Sequence, residues 1–142
     1  ERFKLLVSIK DKKKKFKGIV LSAYGKKMVS KEDLENVVKY GICVIDAPGI
    51  ELSRQDNLDQ TREKLPFVFA GNPVNFGKPY QLSCVEAMAT SLCAIGYTSQ
   101  AKFIMSKFGW SDGFWKQNPN ILKYGDCATK EDIEKVSKEN ES

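Results

Sequence analysis

Histidine is absent from all 142 residues. That removes Ser-His and Cys-His nucleophilic pairs, imidazole metal sites and the usual proton shuttle at neutral pH. An enzyme built from this chain must work with carboxylates, lysines, tyrosines or backbone dipoles. The four cysteines, Cys43, Cys84, Cys93 and Cys127, are scattered and form no C-x-x-C pair. With no histidine to complete a tetrahedral set they argue against zinc, and they are expected as reduced, mostly buried thiols of an intracellular protein. No apolar run approaches the length that spans a bilayer. No signal peptide is expected, and the first residue is Glu1 rather than methionine, as in a piece of a longer protein. The length fits one domain with a proper core.

Acidic residues are in short supply over most of the chain. The tail from Thr129 to Ser142 holds five of them against three lysines, leaving 20 of the 23 basic and 13 of the 18 acidic residues upstream, a net of +7. Lys12, Lys13, Lys14 and Lys15, flanked by Lys10 and Lys17, form the densest cluster. Such a turn suits a phosphate backbone, and equally suits a solvated hairpin loop.

Against these absences stands one dense stretch, Leu65 to Ala87. It reads as an apolar strand over Leu65–Ala70, a loop of Gly, Asn and Pro over Gly71–Pro79, and a helix capped by Ser83 with Glu86 at N3. Strand, glycine loop and helix is how α/β proteins present backbone N–H groups to a ligand. Only Lys78 and Glu86 are charged between Phe67 and Gln100, so the segment is expected to be largely buried.

Upstream, Phe16–Ser22 is a β-rich run, and Ser30 with an acid at N3 starts a helix that ends at Gly41. Ile42–Ile45 is a continuous apolar run, as in a buried parallel strand, and completes a βαβ unit. Downstream, short helices are expected over Gln100–Phe108 after Ser99, over Gly113–Lys116 and over Asn120–Tyr124. A last polar helix starts at Thr129 and is expected to fray from Lys135. Residues 1–96 thus read as an α/β region and 97–142 as a small helical region packed on it in one compact unit.

Several segments stand together in a telling order: Gly18-Ile19-Val20-Leu21-Ser22, Val44-Ile45-Asp46, Leu65-Pro66, Asn72-Pro73-Val74-Asn75-Phe76-Gly77-Lys78-Pro79-Tyr80, Leu82-Ser83-Cys84-Val85-Glu86-Ala87 and Lys107-Phe108-Gly109-Trp110. The chain from about Phe16 to Cys127 resembles the small-subunit rRNA aminocarboxypropyltransferases of eukaryotes and archaea. That resemblance implies a SPOUT-like knotted α/β fold with a mostly parallel sheet and a helical C-terminal part. It implies S-adenosyl-L-methionine as donor and N3 of a hypermodified, N1-methylated pseudouridine in small-subunit rRNA as acceptor of the 3-amino-3-carboxypropyl group. Three features depart from the family pattern, one of them a loop before Leu65 that is shorter by a few residues. Ala47-Pro48-Gly49-Ile50-Glu51 stands where the family has Cys-Ser-Trp-Ala-Arg, and the family's upstream Cys-Ser/Thr-Gly-Lys motif has no counterpart in these residues.

The resemblance also implies the site. Ile45 and Leu65 suit the faces of the adenine, Tyr80 would close the pocket by stacking, and Ser83 and Cys84 open the capped helix with backbone N–H groups toward the loop. Asp46 ends its strand where open α/β sheets bind ligands; it could accept the imide proton, fix the cofactor, or simply cap nearby N–H groups. Lys12–Lys15 and Lys78 are the RNA-binding candidates. The partner is small-subunit rRNA or its precursor particle, with no metal and no membrane, and the chain is expected to be a monomer in the cytoplasm and also the nucleus. Two other readings stay open: an rRNA-binding ribosome assembly factor with weakened chemistry, and a SPOUT RNA methyltransferase.

Overall fold

Five short strands share one sheet in the computed structural model, which describes residues 5–8, 18–21, 27–45 and 62–141. They are β1 (Leu5–Ser8), β2 (Ile19–Leu21), β3 (Lys27–Met28), β4 (Ile42–Ile45) and β5 (Arg62–Lys64), in the order β1-β4-β2-β5-β3. Every pairing among them is parallel. Ile42 lies opposite Leu5 on one side and Ile19 on the other, so the apolar run of β4 is central and its first two side chains are buried, as a strand covered on both faces requires.

The connection from β3 to β4 follows its sequence signals. The Asp33 carboxylate accepts the Ser30 N–H at 3.1 Å while the Ser30 hydroxyl accepts the Glu32 N–H at 3.2 Å. This box starts a 3-10 turn (Lys31–Asp33) that runs into α1 (Leu34–Tyr40). Gly41 stops the helix at φ +98°, a conformation that favours glycine, and donates its N–H to Val37 O.

The strand expected at Leu65–Ala70 lies earlier, at Arg62–Lys64. The apolar run bends at Phe67 and joins no strand of the sheet among the described residues, because the backbone groups of Phe67 and Phe69 are taken by side chains from the C-terminal third. Phe67 N–H donates to Ser137 Oγ at 2.8 Å, and Phe67 O accepts from Tyr124 Oη at 2.6 Å. Asn118 exchanges both amide bonds with Phe69, at 2.7 and 2.8 Å, as a neighbouring strand would. The alternate residues turn the other way: Val68 O accepts from Tyr80 N–H, and Ala70 exchanges bonds with Gly77 and Lys78. Every second residue faces the same side, so one segment is satisfied from two directions.

α2 (Cys84–Ala94) is buried continuously from Glu86 to Ala94 and packs on β4, α3 (Thr98–Met105) and α5 (Ile121–Tyr124). α3 starts one residue before Ser99 and stops short of Phe108. Gly96 at φ +98° ends α2 so sharply that Tyr97 already caps the next helix, and Ser106 folds its hydroxyl back onto Phe103 O at 2.6 Å. α4 (Ser111–Gln117) follows. α6 (Lys130–Glu141) does not fray from Lys135 but stays helical to Glu141. Ile133 is fully buried, Ser137 holds Phe67, and Asn140 donates to Tyr124 Oη at 2.8 Å, so its second half is fastened by partners distant in sequence.

Candidate functional site

Parallel pairing puts the carboxyl ends of all the strands at one edge of the sheet, where open α/β sheets take ligands. Ile45 ends β4 there, and Leu65 follows the last residue of β5, with β2 between them in the sheet. Leu65 is half-buried against the core. Asp46 and Lys12–Lys15 lie outside the described residues. So do Lys10, Lys17 and Ala47–Glu51.

From Leu65 the chain passes into the Gly71–Pro79 loop. Contrary to the expectation of burial, Pro73, Val74, Phe76, Lys78 and Pro79 are exposed, Val74 by 83%. The loop is ordered from its base instead. Glu86 is fully buried. One carboxylate oxygen accepts the Gly71 N–H at 2.6 Å; the other accepts from Asn72 Nδ2 at 2.7 Å, Ser83 N–H at 2.9 Å and Ser83 Oγ at 3.1 Å. Asn72 Nδ2 also reaches Gln81 O, and Asn72 Oδ1 accepts the Asn75 N–H. One carboxylate therefore ties the entry of the loop to its exit. Charge-assisted bonds of this kind are about twice as strong as neutral ones. Gly71 is needed for a second reason: a Cβ there would stand 2.4 Å from the Phe114 Cα, so loop and α4 touch backbone to backbone.

Two expected site residues are modified by this geometry. The Ser83 N–H is committed to Glu86, so it shapes the pocket rather than donating into it. Tyr80 sits at φ +63°, unusual for a non-glycine residue, and is 47% exposed. Its ring meets Phe67 edge-on at 5.4 Å, and its hydroxyl lies 3.4 Å from a Glu141 carboxylate oxygen. Burial first, and Glu141 second, push the phenol up to about 12, so at neutral pH it is a hydrogen-bond donor and not a base. Cys84 is half-buried beside Val85 and Leu82 at the start of α2, packed on the core. All four cysteines are thiols, and burial raises Cys93 to about 11. Lys78 is exposed near the base of the loop, where its carbonyl accepts the Ala70 N–H.

A cavity of about 370 Å³ opens beside Tyr124, between Phe67–Phe69, the 117–121 turn and α6. Leu65, Tyr80, Ser83 and Cys84 do not line it. Sequence reasoning missed the clamp beside it. Asn118 serves a segment 49 positions upstream, and no local pattern marks that role. Glu86, by contrast, was marked by its N3 position.

A family model described as "Ribosome biogenesis protein, C-terminal" matches residues 19–140. The chain is 35% identical over 128 residues to the 16S rRNA aminocarboxypropyltransferase of Methanosphaera stadtmanae, spanning 87% of this chain and 75% of that protein. It is 33% identical over 143 residues to the 18S rRNA aminocarboxypropyltransferase of Saccharomyces cerevisiae, spanning 98% of this chain but 45% of the yeast protein. Among solved structures, the SAM-dependent rRNA:acp-transferase Tsr3 from Vulcanisaeta distributa superposes with a TM-score of 0.73 over 96% of this chain and 94% of that one, at 18% identity.

Proposed function

Since this chain belongs to the rRNA aminocarboxypropyltransferase family, we propose that it moves the 3-amino-3-carboxypropyl group of S-adenosyl-L-methionine onto N3 of an N1-methylated pseudouridine in small-subunit rRNA, during ribosome biogenesis. The observation that carries this reading is the Glu86-tied loop, which follows β5 in the chain and carries the Asn72–Tyr80 string.

The residues present fit the cofactor. A cationic sulfonium with an apolar adenosine calls for apolar and aromatic walls and few fixed cations, and Leu65 and Tyr80 supply such surfaces. Ile45 would add the second adenine wall, and Cys84 would lie at the helix start. The bound cofactor supplies an activated carbon next to sulfur, so the protein's task is orientation and proton removal. Asp46 is our choice for taking the imide proton. Neither Glu86, fully buried with both oxygens hydrogen-bonded inside the protein, nor the protonated Tyr80 phenol is suited to it.

Calorimetric titration of the folded chain with S-adenosyl-L-methionine tests the reading: saturable heat supports it. No heat from folded protein that still binds rRNA would favour the assembly-factor reading, to which Ala47–Glu51 already lends weight.

The SPOUT knot belongs to this proposal, supported by the non-sequential strand order, and an experimental map traced through residues 46–61 tests it. So do a monomeric state, rRNA or its precursor particle as partner, and a place in the cytoplasm and nucleus, checked by sedimentation and by imaging a fluorescent fusion.

A further inference from the structure

Surface charge over residues 65–123 is one-sided. Lys78, Lys102, Lys107, Lys116 and Lys123 are exposed, and Asp112 is the one acid exposed with them, since Glu86 is buried. Aromatic rings that a core would hold are left outside on the same stretch. Phe103, on α3, is 60% exposed, and Phe108, in the turn that follows, is 38% exposed. Lys107 Nζ lies 4.8 Å from the centroid of the Phe103 ring. The Phe108 ring stands 5.4 Å from Trp110, which is half-buried and leads into α4. Exposed phenylalanines forgo the burial that favours folding, and two of them five residues apart, on α3 and in the turn after it, form an apolar patch that a ligand would cover.

The chemistry selects that ligand. Exposed π-faces with lysines beside them and almost no acid fit a polyanion that itself carries flat rings. A second copy of this chain would bring like charges together on this face. We propose that α3 and the turn after it form a docking surface for single-stranded RNA, with bases stacked on Phe103 and Phe108 and phosphates held by Lys102 and Lys107. These residues are distinct in sequence from the Lys12–Lys15 cluster. The choice of RNA over other single strands rests on the rRNA reading above.

The test uses the full chain and fluorescence anisotropy with a labelled single-stranded oligoribonucleotide and an RNA duplex of equal length. Replacing Phe103→Leu and Phe108→Leu together keeps the apolar bulk and removes the stacking faces. Single-strand affinity is expected to fall roughly tenfold or more, duplex affinity to change little, and the melting temperature to hold. Replacing Lys102→Ala and Lys107→Ala should lower the slope of log K against log salt by about 1.4. Unchanged single-strand affinity and slope in both variants would overturn the proposal. So would a wild-type dimer in sedimentation velocity that the Phe variant dissolves, since a second copy would then cover the face. Cofactor titration separates the two readings. Failure to bind S-adenosyl-L-methionine with the stacking effect intact sinks only the transferase. Cofactor binding with no stacking effect sinks only this surface.

Discussion

Glu86 is a carboxylate with four donors and no solvent. Glu86→Gln keeps the shape but turns one acceptor into a donor facing other donors, which should cost about 2–3 kcal/mol and loosen the loop. Urea unfolding with amide exchange at Gly71 and Ser83 checks this: equal stability and equal protection would contradict the role given to Glu86. Tyr80 is tested differently. Because the ring is half-exposed, Tyr80→Ala should leave melting nearly unchanged and weaken cofactor binding by about 1–3 kcal/mol, the worth of an aromatic stacking face. If the ring serves only Phe67 and Glu141, melting falls and the folded variant binds normally.

At the scale of elements, α6 is fastened at its start by one cation. Lys130 Nζ reaches Asp33 Oδ2 at 2.8 Å, Met28 O at 3.0 Å and Glu63 Oε1 at 3.3 Å, joining the helix to the 3-10 turn and to two strands. Burial, then the hydrogen bond and charge of Asp33, push Glu63 up to about 8 despite the opposing pull of Lys130. At neutral pH Glu63 is therefore mostly protonated. A folded-state value above the ordinary 4.5 means that Glu63 contributes stability fully below pH 4.5 and loses it as pH rises through 8. Stability measured from pH 5 to 9 should carry this decline, and Glu63→Gln should flatten it; an identical slope would refute the assignment. Lys130→Met leaves the carboxyl pair without its cation and should cost about 2–4 kcal/mol at neutral pH.

These elements also show what a sequence can and cannot display. The capping boxes at Ser30 and Ser83 and the buried run of β4 were legible because their causes are local: a hydroxyl three residues before an acid, or apolar residues in sequence. The Leu65–Ala70 run looked like a strand, yet the partners of Phe67 and Phe69 are side chains of Asn118, Tyr124 and Ser137, which only the tertiary fold brings near. The same long-range bonds keep the polar α6 helical where its composition suggested fraying. The site was legible in part. The loop string, Glu86 and its bond to the Ser83 N–H could be read, but the exposure of Phe76 could not, since it follows from how the loop lies on α4.

Over the whole molecule, those same bonds make residues 67–70 common property of the α/β region and the helices. We therefore expect 1–96 and 97–142 to unfold in a single transition, with calorimetric and van't Hoff enthalpies equal. Two resolved transitions would break that expectation. The net basic charge upstream of the tail predicts salt-sensitive RNA binding. Changing Lys12–Lys15 to alanine should lower the log–log salt slope by about 0.7–0.9 for each phosphate that the variant no longer neutralises. An unchanged slope would mark the cluster as a solvated loop.

Which carbon beside the sulfonium is attacked decides the reaction, and the fate of isotopic label reads it out. The protein is incubated with small-subunit rRNA carrying the N1-methylated pseudouridine and with S-adenosyl-L-methionine labelled either in the carboxyl group or in the methyl group. Carboxyl label is expected in the RNA, with methyl label left in methylthioadenosine. Methyl label in the RNA, with S-adenosylhomocysteine as the other product, would contradict it and make the protein a methyltransferase.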